Sequence, residues 1–113
     1  MANVKLVVVY PRPKDVDDFE KVYQEEHVPL AVAKLGGKTK MVATKMLGSP
    51  QGPAPFYRIA EIHFPSMQAL EACAASESGK EALAHALKIS SGGPPIFLVA
   101  EEETFTFTKT VNA

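Results

Sequence analysis

The spacing of apolar positions changes several times along this chain, and each change marks an element. Val4 to Tyr10, VKLVVVY, is a β-branched run that stops at Pro11-Arg12-Pro13, where two prolines lack the amide a sheet ladder needs; it predicts a central strand. From Asp15 the period lengthens. Val16, Phe19, Tyr23, His27 and Leu30 recur at three- and four-residue spacing with Lys21, Gln24 and Glu25 opposite them, the stripe of a helix laid on a core. Asp15 is placed to cap it, and Asp17, Asp18 and Glu20 put negative charge where the helix dipole favours it. Pro29 disfavours helical geometry at Val28, so the helix is expected to end, or to kink and restart, after His27.

Gly36-Gly37 closes the next segment, and Lys40 to Leu47 alternates as a strand does. Gly48 to Pro55 holds two glycines and three prolines in eight residues, a hairpin loop leading to the strand Phe56–Phe64. Ser66 then caps a short apolar stripe, Met67, Leu70, Cys73 and Ala74. After an interruption at Ser76–Gly79, the capping-box spacing of Ser78 and Glu81 predicts a second helical piece with Ala82, Leu83, Ala86, Leu87 and Ile89 on its buried face. Gly92-Gly93-Pro94-Pro95 forces a break before Ile96–Ala100, which reads as a fully buried last strand running into Glu101-Glu102-Glu103. Thr104 to Val111 alternates Thr with Phe and either extends that strand or adds another.

The order strand, helix, strand, strand, helix, strand predicts an α+β, ferredoxin-like βαββαβ protomer with an antiparallel sheet covered by helices on one side. The first and last strands are apolar in both alternating sets, Leu6 and Val8 against Val7 and Val9, so the second sheet face also needs cover. A homodimer packed sheet on sheet, closing an α+β barrel, supplies it. A length of 113 residues predicts one domain over 1–113, with 105–113 as a strand extension or tail. The net charge of −1 without a basic run argues against nucleic acid, and no apolar stretch has the ~20 residues a membrane span requires. One cysteine, Cys73, excludes an intrachain disulfide and points to the cytoplasm.

Three stretches together, VKLVVVYPRPKDVDDFEKVYQEEHVPL, FYRIAEIHFPSMQALEACAASESGKEALA and GGPPIFLVAE, resemble the EthD family over nearly the whole chain. The likeness is carried by the YPRP turn after the first strand, the Phe19, Tyr23 and His27 ladder followed by Pro29-Leu30, and the Tyr57–Glu61 strand. It implies a dimeric α+β barrel. The family is named after a protein found beside an ethyl tert-butyl ether degradation system, and relatives on the same barrel include cofactor-independent monooxygenases, aromatic polyketide cyclases and muconolactone-type isomerases. Fold does not choose among these chemistries.

His27 is the leading candidate for chemistry. At the end of its helix, the dipole and Glu25 and Glu26 favour the imidazolium form, suited to shuttling a proton on a small carbonyl compound. The competing reading has it capping the helix on a backbone carbonyl where Pro29 breaks the ladder. Tyr23, one turn earlier, offers a hydroxyl to polarise a carbonyl, or is simply core. Arg58 and Phe19 are the candidate substrate contacts, Arg58 as a carboxylate anchor or else a dimer salt bridge. Arg58 and Glu61 fall on opposite faces of their strand, and His63 shares a face with Glu61 and Tyr57. His85 is expected to be exposed beside Glu81 and Lys88, and the three histidines lack metal spacing. No cofactor motif occurs, and Cys73 reads as a small hydrophobe. The expected activity is a cofactor-independent reaction on a hydrophobic, oxygenated small molecule; the alternative is a protein that binds such a compound, or assists an oxygenase, without turnover.

Overall fold

In the computed structural model, which describes residues 3–108, the chain runs β1 (Val4–Pro11), α1 (Val16–Val22), a π-helical turn (Tyr23–His27), α2 (Val28–Lys34), β2 (Lys40–Lys45), β3 (Phe56–Phe64), α3 (Met67–Ala75), α4 (Glu77–Ile89) and β4 (Ile96–Glu101). The sheet order is β2-β3-β1-β4 with every neighbouring pair antiparallel, the ferredoxin-like arrangement expected. Strand parity decides which side is core. Val4, Leu6, Val8 and Tyr10 of β1 pair with Phe64, Ile62, Ala60 and Arg58 of β3, and all eight are buried beneath the helices. The other parity of β1, Lys5, Val7 and Val9, is only half-buried.

Of the two outcomes expected at Pro29, the arm takes the second: it does not end but restarts as α2 at Val28, immediately after His27. Phe19, Tyr23, His27, Ala31 and Leu35 are all buried, each four residues beyond the last. In an unbroken α-helix a four-residue step drifts by about 40° around the axis, so five such positions would spiral off the core. The π-helical turn takes up that drift: Val28 N–H bonds to Tyr23 O, five residues back. The wider turn also accommodates Pro29, whose ring would otherwise press on the carbonyl four residues earlier. Hence the stripe continues to Ala31 rather than to Leu30, and His27 lies inside a continuous helical arm instead of at its end.

The break between α3 and α4 is one residue wide. Ser76 Oγ accepts from Gly79 N at 3.0 Å and donates to Cys73 O at 2.7 Å, so a single hydroxyl closes one helix and opens the next. Ser76, not Ser78, is therefore the N-cap of α4. Gly79 is required there because a Cβ would lie 1.9 Å from the Cys73 carbonyl oxygen. Asp15 and Ser66 cap α1 and α3 as their positions predict.

β4 departs from expectation. It is an edge strand beside β1 alone, and Ile96, Leu98 and Val99 are 42%, 49% and 55% exposed in the protomer rather than fully buried. Residues 102–108 form no strand, and positions 109–113 of the expected extension or tail lie outside the described residues. Among the described residues no helix is long and apolar enough to cross a membrane.

Candidate functional site

Between the inner sheet face and the α1–α2 and α4 helices lies a cavity of about 230 Å³. Sixteen residues line it, and only Tyr10, Tyr23 and His27 bring polar side-chain atoms; the rest are aliphatic or methionine, among them Val8, Leu35, Ala60 and Ala82. An engineered cavity of roughly 150 Å³ takes up benzene, so this volume suits one ring with a short substituent.

His27 stands on the cavity wall, 7% exposed, because the π-helical turn aims it inward. Its Nε2 is 3.2 Å from the Tyr10 hydroxyl, and its Nδ1 is 2.9 Å from Nδ1 of His85, whose ring lies edge to edge with it, 5.1 Å between centroids and 10° between planes. Among the described residues no backbone carbonyl accepts from His27, and both ring nitrogens are spent on side chains, so the helix-capping reading fails. The electrostatic expectation fails as well. Burial first, and His85 second, lower the His27 pKa from 6.5 to about 4, leaving a neutral imidazole at pH 7 where helix-end geometry had suggested imidazolium.

Tyr10 and His85 are the residues that sequence reasoning missed. Tyr10 is fully buried, and burial raises its phenol well above the usual range, with Tyr23 adding to the shift. Its parity with Val4, Leu6 and Val8 was the available signal, because a tyrosine on the inward face of a strand must find a partner for its hydroxyl. His85 was expected in solvent beside Glu81 and Lys88. It lies instead on the flank of the α4 stripe formed by Ala82, Ala86 and Ile89, half-buried, within reach of His27.

Tyr23 and Phe19 are both core and close to the site. Their rings stack at 5.5 Å, Tyr10 meets each edge-on, and the Arg58 guanidinium lies 4.8 Å from the Tyr23 ring centre. The hydroxyl bonded to His27 belongs to Tyr10, not to Tyr23. Phe19 does not line the cavity; it supports Tyr10 and Tyr23 from behind.

Arg58 is 5% exposed and already committed, its Nε and Nη2 donating to Glu20 at 3.1 and 2.6 Å. This holds the Glu20 carboxyl below the usual carboxylate range. Neither a free carboxylate anchor nor a salt bridge between protomers describes it; it is an internal pair. A bulge opposite Tyr10 and Pro11 turns Tyr57 toward the helices beside Arg58, where it meets Phe19 edge-on at 5.8 Å, so Tyr57 does not join Glu61 and His63 as simple alternation predicted. On the outer face Lys5 Nζ takes Glu61 at 2.5 Å and Glu102 at 3.4 Å, and His63 lies 3.7 Å from Glu102 rather than paired with Glu61. Cys73 is buried with its thiol pKa pushed up, an inert core residue as expected. Among the described residues no three His, Cys, Asp or Glu side chains converge as a metal site.

Comparison with known proteins agrees with this architecture. An "Uncharacterized 11.0 kDa protein in thcB-thcC intergenic region" of Rhodococcus erythropolis is 29% identical over 98 residues, covering 87% of this chain and 94% of its own length. The crystal structure of an ethyl tert-butyl ether degradation (EthD) family protein from Bacillus halodurans C-125 superposes with a TM-score of 0.82 at 30% identity, over 89% of this chain and 99% of that one. A dimeric ferredoxin-like protein of unknown function from Jannaschia sp. CCS1 shares the fold at a TM-score of 0.58 and 16% identity, over 89% and 99% of the two chains. The EthD domain profile matches residues 12–89, a span that runs from the turn after β1 to the last residue of α4 and takes in the π-helical turn, His27 and His85. With more than half its length so matched, this chain belongs to the EthD family.

Proposed function

We propose that the protein binds a compact, neutral, hydrophobic compound bearing one oxygen function and moves a proton on it, with Tyr10 as the hydroxyl that meets the ligand and His27 as the acid–base group that acts through it. The carrying observation is the composition of the cavity: an apolar wall of about 230 Å³ whose only polar groups are two phenols and a neutral imidazole. With Arg58 engaged by Glu20, no free cation waits among these groups for a carboxylate, which is why the ligand is taken as neutral. Enolisation, cyclisation and lactone isomerisation all contain such a proton transfer.

Two copies are proposed to pack through their outer sheet faces. Val9 lies between Ile59 and Ile96 in the register, Val7 lies beside Leu98, and these apolar positions form a continuous patch. At its far end Lys5 pairs with both Glu61 and Glu102, and His63 lies 3.7 Å from Glu102, so much of the charge at this end is already engaged within the protomer. The Jannaschia protein of the same fold is described as dimeric, which accords with this pairing.

The test is α-proton exchange of small cyclic ketones such as cyclohexanone in D2O, followed by NMR, beside calorimetric affinities. Wild type should accelerate exchange, and His27→Gln should abolish the acceleration while keeping the affinity within about threefold. Binding without accelerated exchange would assign the protein a holding role instead.

A further inference from the structure

The two histidines face different spaces. His27 belongs to the wall of the apolar cavity, whereas His85 belongs to the wall of a second, more polar depression of about 320 Å³ on the outer side of the helices, with Asp18, Glu26, Lys88 and Ser91 around it. Their Nδ1 atoms meet at 2.9 Å, and on the cavity side His27 Nε2 reaches the Tyr10 hydroxyl. From this continuity we infer that Tyr10, His27 and His85 form a proton relay that joins the ligand cavity to the outer groove, with His85 as the residue that exchanges protons with water.

Hydrogen-bond bookkeeping gives the relay two states. Only one proton fits between the two Nδ1 atoms when both rings are neutral. In the first state Tyr10 O–H donates to His27 Nε2, His27 Nδ1–H donates to His85 Nδ1, and His85 carries its proton on Nε2. In the second, His85 Nδ1–H donates to His27 Nδ1, His27 Nε2–H donates to Tyr10, and the Tyr10 hydrogen is free to point at the ligand. When a ligand in the cavity gives a proton to the Tyr10 oxygen, Tyr10 passes its own to His27 Nε2, His27 passes its Nδ1 proton to His85, and His85 releases its Nε2 proton to water. One proton leaves the ligand, one enters solvent, the electron pair of the broken bond stays on the ligand, and the chain is left in its second state. The reverse sequence protonates a ligand anion.

This route avoids placing charge where burial opposes it. A stepwise shuttle would need His27 as imidazolium, which its lowered pKa disfavours about a thousandfold at pH 7. Shifting the tautomers together keeps both rings neutral. The groups facing the pair are Tyr10 and Tyr23 on the cavity side, with Arg58 behind the Tyr23 ring, and Asp18, Glu26 and Lys88 on the groove side; Glu81, one turn earlier on α4, is paired with Lys34 of α2 at 3.5 Å.

The inference rests on the proposed proton-transfer reading of the cavity, and the experiment separates the two. In ligand-free wild-type protein labelled with 15N histidine, the two Nδ1 atoms should share a single proton; two Nε2–H tautomers would overturn the relay. The kinetic arm uses 4-nitrophenol, a single ring whose ionisation is read by absorbance, bound in the cavity and subjected to a pH jump. His85→Gln keeps a hydrogen-bonding amide but cannot pass a proton through two nitrogens, so the bound probe should re-equilibrate about tenfold or more slowly with affinity nearly unchanged. His85→Phe, which retains ring volume, should do the same. A probe that responds to His27→Gln but not to either His85 variant overturns the relay and leaves His27 as the base. Indifference to His27→Gln overturns both.

Discussion

Acidification is the sharpest probe of the buried imidazole. In the folded protein the His27 pKa is lowered from 6.5 to about 4, chiefly by burial and secondarily by His85. In the unfolded chain the ring titrates at its ordinary value, so between pH 6.5 and about 4 the unfolded state binds the extra proton and the folded state does not. Stability must therefore fall as pH falls through that window and level off below it. At roughly 1.36 kcal/mol per unit the full linkage is about 3 kcal/mol. Solvent reaching the pair from the His85 groove screens part of it, which leaves about 2 kcal/mol, a large share of an ordinary domain's stability. Urea unfolding of wild type and His27→Gln at one fixed protein concentration, repeated from neutral pH down to about 4, isolates the contribution, because other titrating groups are common to both proteins. The wild-type curve should lose about 2 kcal/mol more than the variant's. Parallel losses, or an NMR titration of His27 with its midpoint at or above 6.5, would refute the burial argument.

Three further outcomes are expected. Glu20→Ala leaves the buried Arg58 guanidinium with only the Tyr23 ring, and because Glu20 itself is 23% exposed the cost should be about 2–3 kcal/mol in urea unfolding; adding Arg58→Met should recover at least half of it. Ala82→Leu projects a larger side chain into the cavity and should abolish calorimetric binding of one-ring ligands while changing stability by less than about 1 kcal/mol, since it fills a void. Gly79→Ala drives a methyl group against the Cys73 carbonyl and should destabilise by about 2 kcal/mol or more, visible as a lowered melting temperature.

Most of the fold was legible because it is written in local chemistry. The proline-bounded run at Val4–Tyr10, the caps at Asp15 and Ser66 and the glycine-rich breaks each act within a few residues of where they stand. What escaped depends on contacts across the fold. His27 looked like a charged helix end because Pro29 is a local stop signal, yet the π-helical turn absorbs the proline and carries the histidine into the interior. The partners of His27 lie 17 and 58 residues away, so no spacing rule could have joined them. Arg58 was correctly separated from Glu61 by strand parity, but its pairing with Glu20 is a tertiary fact, and the bulge at Tyr57 suspends alternation where β1 and β3 diverge.

The π-helical turn has a further implication for how this chain could change its chemistry. A one-residue deletion between Tyr23 and His27 would let the arm close into ordinary α-helical winding, with the Val28 amide bonding four positions back instead of five, so Ala31 and Leu35 beyond it would keep their face on the sheet. Only the side chains within the turn, the imidazole among them, would be re-aimed. Loss of a single codon would thus act on the imidazole alone and leave the rest of the pocket wall as it stands.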